Sequence, residues 1–62
     1  MSVLLDLRHR AGLTQREVAI LLGVPDRTYQ RWEARETTPT PRHQRALARL
    51  YKVAIDELGF AE

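Results

Sequence analysis

There is no cysteine among the 62 residues. No disulfide can brace the chain, and no thiolate can hold a metal. The two histidines, His9 and His43, have no cysteine partners and stand at no metal-ligand spacing. No metal or other cofactor is therefore expected. Long apolar runs are also missing. The longest useful one, Val18 to Val24, falls far short of the ~20 residues that span a bilayer. The N-terminal apolar stretch carries Asp6, with Arg8 and Arg10 just behind it, which is not the order of a secretory leader. A cytoplasmic location without membrane attachment is expected. The three glycines are isolated, so no glycine-rich loop cradles phosphate. No Ser–His–Asp spacing suits a helical domain this small, and no enzyme is expected. Strand alternation, internal repeats and low-complexity segments are absent as well.

Apolar residues make up 44% of the chain, which suits one globular domain spanning residues 1–62. A domain this short buries only about 60% of its unfolded-chain surface. Its own core, or a second copy of the chain, must hold it. Charge is unevenly placed. Residues 1–55 hold ten basic and five acidic side chains, a net of +5, while Asp56, Glu57 and Glu62 make the end acidic. Lys52 is the single lysine; the other basic residues are arginines. Arginine has the fork that matches phosphate and guanine. The alternative is a solvated, arginine-rich surface without a partner.

Helical periodicity runs throughout. Segment one, Ser2 to Arg10, is capped by Ser2, turns Leu4, Leu7 and Ala11 inward, and stops at Gly12. Either Val3 or Leu5 falls off that stripe and is exposed. Segment two, Thr14 to Leu22, opens with the capping box Thr14-Gln15-Arg16-Glu17. Val18, Leu21 and Leu22 are expected inward, beside a small Ala19. Segment three runs from about Pro25 to Ala34, with proline and Asp26 suited to its first turn. Tyr29 and Trp32 point inward, joined by Val24; Arg27, Arg31 and Arg35 share another face. Residues Arg35 to Thr40 form a polar loop. Thr40-Pro41 starts segment four, whose apolar face is Ala46, Leu47, Leu50 and Tyr51, with Arg42, Arg45 and Arg49 toward solvent. Segment five is short, Ala54 to Leu58, with Val53, Ile55 and Leu58 apolar.

Segments two and three meet across Leu22-Gly23-Val24. This is the spacing of a helix-turn-helix, whose second helix enters the DNA major groove with its N-terminal residues at base edges. A helical hairpin with a glycine turn is the plainer reading of that spacing alone.

Taken together, Gly12-Leu13-Thr14-Gln15-Arg16-Glu17-Val18-Ala19, Leu22-Gly23-Val24 and Thr28-Tyr29-Gln30-Arg31-Trp32-Glu33 resemble the phage-repressor/Cro-type helix-turn-helix (XRE) family. The likeness continues through Thr38-Pro39, Leu47-Ala48-Arg49-Leu50-Tyr51 and Val53-Ala54-Ile55-Asp56-Glu57-Leu58, covering roughly residues 4–58. It implies an all-α, lambda-repressor-like domain of five helices, forming a homodimer on a palindromic operator. By the same resemblance Gln15 donates to a backbone phosphate, Asp26, Arg27 and Arg31 reach base edges, and Gln30 touches a base or phosphate. Thr28 contacts phosphate, and Arg8 pairs with Glu33 to tie the first helix to the third. The chain departs from the family pattern in four places. Ala34-Arg35 replaces Asn-Gly and removes the easy left-handed exit. Lys52 replaces a glycine and implies a strained or different turn. Ala54 replaces a capping Ser or Thr, and Pro25 a phosphate-binding one.

Several residues admit two roles. Asp26 either complements the helix dipole or accepts from a cytosine amino group. Tyr29 and Trp32 could stack on bases, but their spacing places them in the core. Thr37, Thr38, Arg35 and Arg42 frame a loop that grips the DNA backbone. His43 either lies at the surface or touches phosphate. Phe60 either folds back as a lid or, with Leu58 and Ile55, forms a dimer seam; the second is expected. A seam so short predicts weak pairing, formed or strengthened on double-stranded DNA. The expected function is a sequence-specific DNA-binding transcriptional repressor, held at the nucleoid by its binding. The alternative is a protein-interaction or antitoxin-like adaptor module on the same fold.

Overall fold

A computed structural model describes residues 3–60. Four α-helices follow one another: α1, Val3–Ala11; α2, Gln15–Leu22; α3, Asp26–Glu33; and α4, Pro41–Tyr51. A single 3-10 turn, Ile55–Leu58, follows α4, and no strand occurs among the described residues. The expected fifth helix is thus one short turn, because Gly59 takes a left-handed conformation immediately after Leu58 and ends it. Ser2, expected to cap α1, lies outside the described residues.

The helix ends are chemically specified. Thr14 Oγ1 accepts from the Glu17 amide at 3.1 Å, and the Glu17 carboxylate accepts from the Thr14 amide at 2.8 Å. Two orphan donors are satisfied reciprocally. Gly23 closes α2 at φ 71°, a conformation that costs glycine little. Thr40 caps α4, with Pro41 in its first turn. Two non-glycine residues also turn left-handed, Arg35 (φ 61°) and Lys52 (φ 58°). The left-handed exit expected to be lost at Ala34-Arg35 is therefore kept. The Glu36 amide reaches back to Arg31 O at 2.9 Å, a bond that closes the helix end whatever side chain occupies the turn.

Leu4, Val18, Ala19, Tyr29, Trp32, Leu47, Ala48, Tyr51 and Leu58 form the core, with Leu7, Leu22, Val24 and Phe60 packed around it. Two inward expectations fail. Leu21 is 61% exposed, because α2 packs through the i, i+3, i+4, i+7 stripe of Gln15, Val18, Ala19 and Leu22. That stripe points Leu21 away from the core. Ala11 is exposed at the end of α1, where the chain turns off through Gly12. Of Val3 and Leu5, Val3 is the exposed one.

Candidate nucleic-acid interface

α3 has two faces of opposite character. Its inner face carries Tyr29, Trp32 and Glu33, all buried. Trp32 lies edge-on to Tyr29 with ring centroids 6.1 Å apart, and the His43 ring stands 5.2 Å from Trp32. These contacts put both aromatic rings in the core, out of reach of a base stack. The Tyr29 and Tyr51 hydroxyls are 2.7 Å apart. Burial, with that hydrogen bond, pushes the Tyr29 hydroxyl far above its ordinary pKa and keeps it protonated.

Glu33 is the one buried charged side chain among the described residues. Arg8 Nε donates to its Oε2 at 2.6 Å, which is the expected tie between α1 and α3. Gln15 Nε2 donates to Oε1 at 2.8 Å. Burial alone would raise the Glu33 pKa. Hydrogen bonds from Arg8 and Gln15, with the Arg8 charge, outweigh it, and the carboxyl sits below its ordinary range. Arg8 also donates through Nη1 to Leu13 O at 3.0 Å. One guanidinium thus ties the loop before α2 to the end of α3, and Glu33 in turn holds the start of α2 through Gln15.

The Gln15–Glu33 bond was not among the sequence expectations. Its only signal was that Gln15 belongs to the stripe by which α2 faces α3. The bond holds the Gln15 amide through one N–H. The other N–H remains for an acceptor outside the protein. A phosphate contact by Gln15 is thus compatible with the structure, and Glu33 sets its direction.

The outer face of α3 bears Asp26, Arg27, Gln30 and Arg31, all exposed; Thr28 is half-buried. Arg27, Gln30 and Arg31 line a shallow depression that continues to Ala34 and Glu36. Asp26 and Glu36 stand before and after this run, so the positive charge is concentrated in the middle turn. The depression has two arginine forks and one amide converging on it, with an exposed helix N-terminus beside them. Such a set suits base edges and phosphates together. Thr37, Thr38 and Arg42 are exposed on the adjoining loop and first turn of α4.

Arg35 stands apart from this group. Its Nη2 donates to Gly59 O at 2.8 Å, and its guanidinium lies 5.8 Å from the Phe60 ring centre. The structure therefore directs Arg35 toward the C-terminal turn. Phe60, half-buried beneath it, folds back as the lid that was the less favoured expectation. Leu58 is fully buried within the chain and has no surface to offer a second copy. Of the expected seam only Ile55, 39% exposed, and the open edge of Phe60 remain at the surface.

Among the described residues no group of His, Asp or Glu could hold a metal ion, and no helix is long and apolar enough to cross a membrane. A family model described as a helix-turn-helix domain matches residues 3–59. No curated protein and no solved structure matches the chain significantly.

Proposed function

Because the chain belongs to the helix-turn-helix domain family, whose hallmark is DNA binding, we propose that it is a sequence-specific regulator of transcription that reads double-stranded DNA with α3. Its activity is binding, not catalysis. The observation that carries this reading is the division of α3 itself. Every large apolar side chain of that helix is buried, while Arg27, Gln30 and Arg31 are exposed together on one shallow surface. Folding requires the first set and has no use for the second. Arginine to guanine is the commonest specific contact in the major groove, and the middle turn of α3 presents two such forks. Gln15, Thr28, Thr37, Thr38 and Arg42 surround them as phosphate contacts that fix the helix in register. Asp26 reads a cytosine amino group.

Repression by occlusion is the simplest outcome for such a domain, in the manner of the phage-repressor and Cro-type proteins it resembles. The longest extent of the described chain is 27 Å, less than the ~34 Å between half-sites one turn apart. Two copies on a palindromic operator would supply the second half-site, meeting through Ile55 and Phe60. So small a seam pairs weakly in solution and strengthens on DNA. The working location is the cytoplasm, at the nucleoid.

Selection from random duplexes at fixed salt tests this. Enrichment of a site with two related halves is expected. Recovery of no preferred sequence would overturn it. A second reading, a protein-interaction module, is favoured by one feature. Ile20 and Leu21 are 67% and 61% exposed and adjacent on α2, where a polar surface would be ordinary. In that case substitution of both by Ser would abolish function while Arg31→Ala would not.

A further inference from the structure

The strongest charge feature outside α3 is the outer face of α4. Arg42, Arg45 and Arg49 recur at i, i+3 and i+7 on that helix, and all three are exposed. Lys52 follows at the helix C-cap, also exposed. The α4 sequence, PRHQRALARLY, contains no carboxylate. Among the described residues Arg8–Glu33 is the only ion pair, so none of these cations is paired with a described carboxylate. Like charges at three- and four-residue spacing destabilise a helix. The fold gains nothing from the stripe, since Leu47, Ala48 and Tyr51 on the opposite side already anchor α4 in the core.

We infer that this stripe is a second DNA-backbone surface, which grips duplex outside the segment that α3 reads. Two observations point to nucleic acid in particular. First, the stripe is continuous with the proposed interface. Arg42, already among the proposed phosphate contacts, stands in the first turn of α4 and is the first arginine of the row, which leads away from there along the helix. Second, its spacing fits. Seven residues of helix advance about 10 Å, and one DNA strand presents a phosphate every ~3.4 Å of axis. Three arginines therefore run alongside about three phosphates. Each guanidinium can fork onto phosphate oxygens. Such contacts carry no sequence information and act through counterion release.

The inference depends on the α3 reading only for which duplex segment counts as outside. The test compares Arg45→Gln/Arg49→Gln with the parent on two duplexes. One holds only the selected site, and the other extends the same site by about 20 base pairs, two helical turns, on each side. On the long duplex the double variant should bind roughly tenfold more weakly at low salt. Its log–log salt slope should fall by about 2, since each phosphate contact contributes ~0.9. On the short duplex both values should match the parent, and the base preference should be unchanged on either. The melting temperature should stay the same or rise as repulsion is relieved, so misfolding would not imitate the result. Equal loss on both duplexes would place the stripe on the site itself, and an unchanged slope on the long duplex would remove it from DNA; either overturns the inference. So would competition by polyglutamate as effective as that by unrelated duplex of equal charge, which would identify an acidic protein surface as the partner. If no preferred site exists, the same slopes measured on unrelated duplexes of the two lengths decide the stripe alone, and Arg31→Ala decides α3.

Discussion

The inner and outer faces of α3 share eight residues and almost nothing else. On the inner face the hydroxyl and the carboxylate have partners within the chain: Tyr29 meets Tyr51, and Glu33 meets Arg8 and Gln15. On the outer face the side chains of Arg27, Gln30 and Arg31 make no hydrogen bond or ion pair among the described residues. A buried polar group must be satisfied inside the protein, because water cannot reach it. An exposed one is satisfied by water until something better displaces it. The inner face therefore determines where the helix stands, and the outer face what it can recognise. Substitutions on the first should register in stability, and on the second in binding.

The largest effect is expected at Trp32. Trp32→Ala removes the ring that joins α3 to the first turn of α4 and should cost about 3–5 kcal/mol. In a domain of this size that approaches the whole margin. Thermal melting checks it. A fully folded Trp32→Ala that had lost only DNA affinity would place the ring on the wrong face.

Glu33 comes next. Glu33→Ala leaves the Arg8 guanidinium without its carboxylate and frees Gln15, at a cost of about 3 kcal/mol. The pH dependence follows from the sign of the shift. The folded carboxyl is held below its ordinary value of 4.5. Its contribution is therefore complete above that value and is lost as pH falls through the lower, folded one. Melting temperatures of the parent should drop on acidification below about pH 4.5 more steeply than those of Glu33→Gln. Parallel curves for the two proteins would mean the carboxylate is not held as the structure shows. Glu33→Gln should also weaken DNA binding slightly, through Gln15, on every duplex alike.

On the outer face Arg31→Ala should leave melting unchanged. It should cost roughly 1–3 kcal/mol of binding to the preferred site and relax the preference at one base pair. Affinity and preference both unaltered would remove α3 from the groove and turn attention to Ile20 and Leu21.

The same division explains what could be read from the sequence. Helix ends were legible, because caps and left-handed turns are local: Thr14 with Glu17, Gly23, and Thr40-Pro41 all act within four residues. Tyr29 and Trp32 were legible as core from spacing alone, and the Arg8–Glu33 tie from family resemblance. Leu21 was misplaced because an eight-residue helix with consecutive aliphatics, Ile20-Leu21-Leu22, supports more than one stripe. Only the partner helix selects the one through Gln15 and Ala19. The Gln15–Glu33 bond spans 18 residues and has no local signature. Sequence order alone groups Arg35 with Thr37, Thr38 and Arg42, which are its neighbours along the chain. Its left-handed backbone turns the side chain to Gly59 and Phe60, which no spacing argument contains.

Arg35 also offers the smallest effect and the finest discrimination between the two faces. Its side chain makes one exposed hydrogen bond, to Gly59 O, and one cation–π contact, to Phe60. Both are at the surface, so Arg35→Ala should cost only about 1 kcal/mol. The backbone conformation contributes separately. At φ 61° alanine carries the same left-handed strain as arginine, whereas glycine carries none. Relief of that strain is worth about 1 kcal/mol. Arg35→Gly should then lose the contacts, regain the strain, and melt within a degree or two of the parent, while Arg35→Ala melts lower. Neither should change base preference, because the guanidinium is engaged with the C-terminal turn. Equal destabilisation by both variants would show that the left-handed turn is unstrained there. Unchanged melting with weaker binding to all duplexes would instead show that the side chain leaves Gly59 for a phosphate when DNA is present.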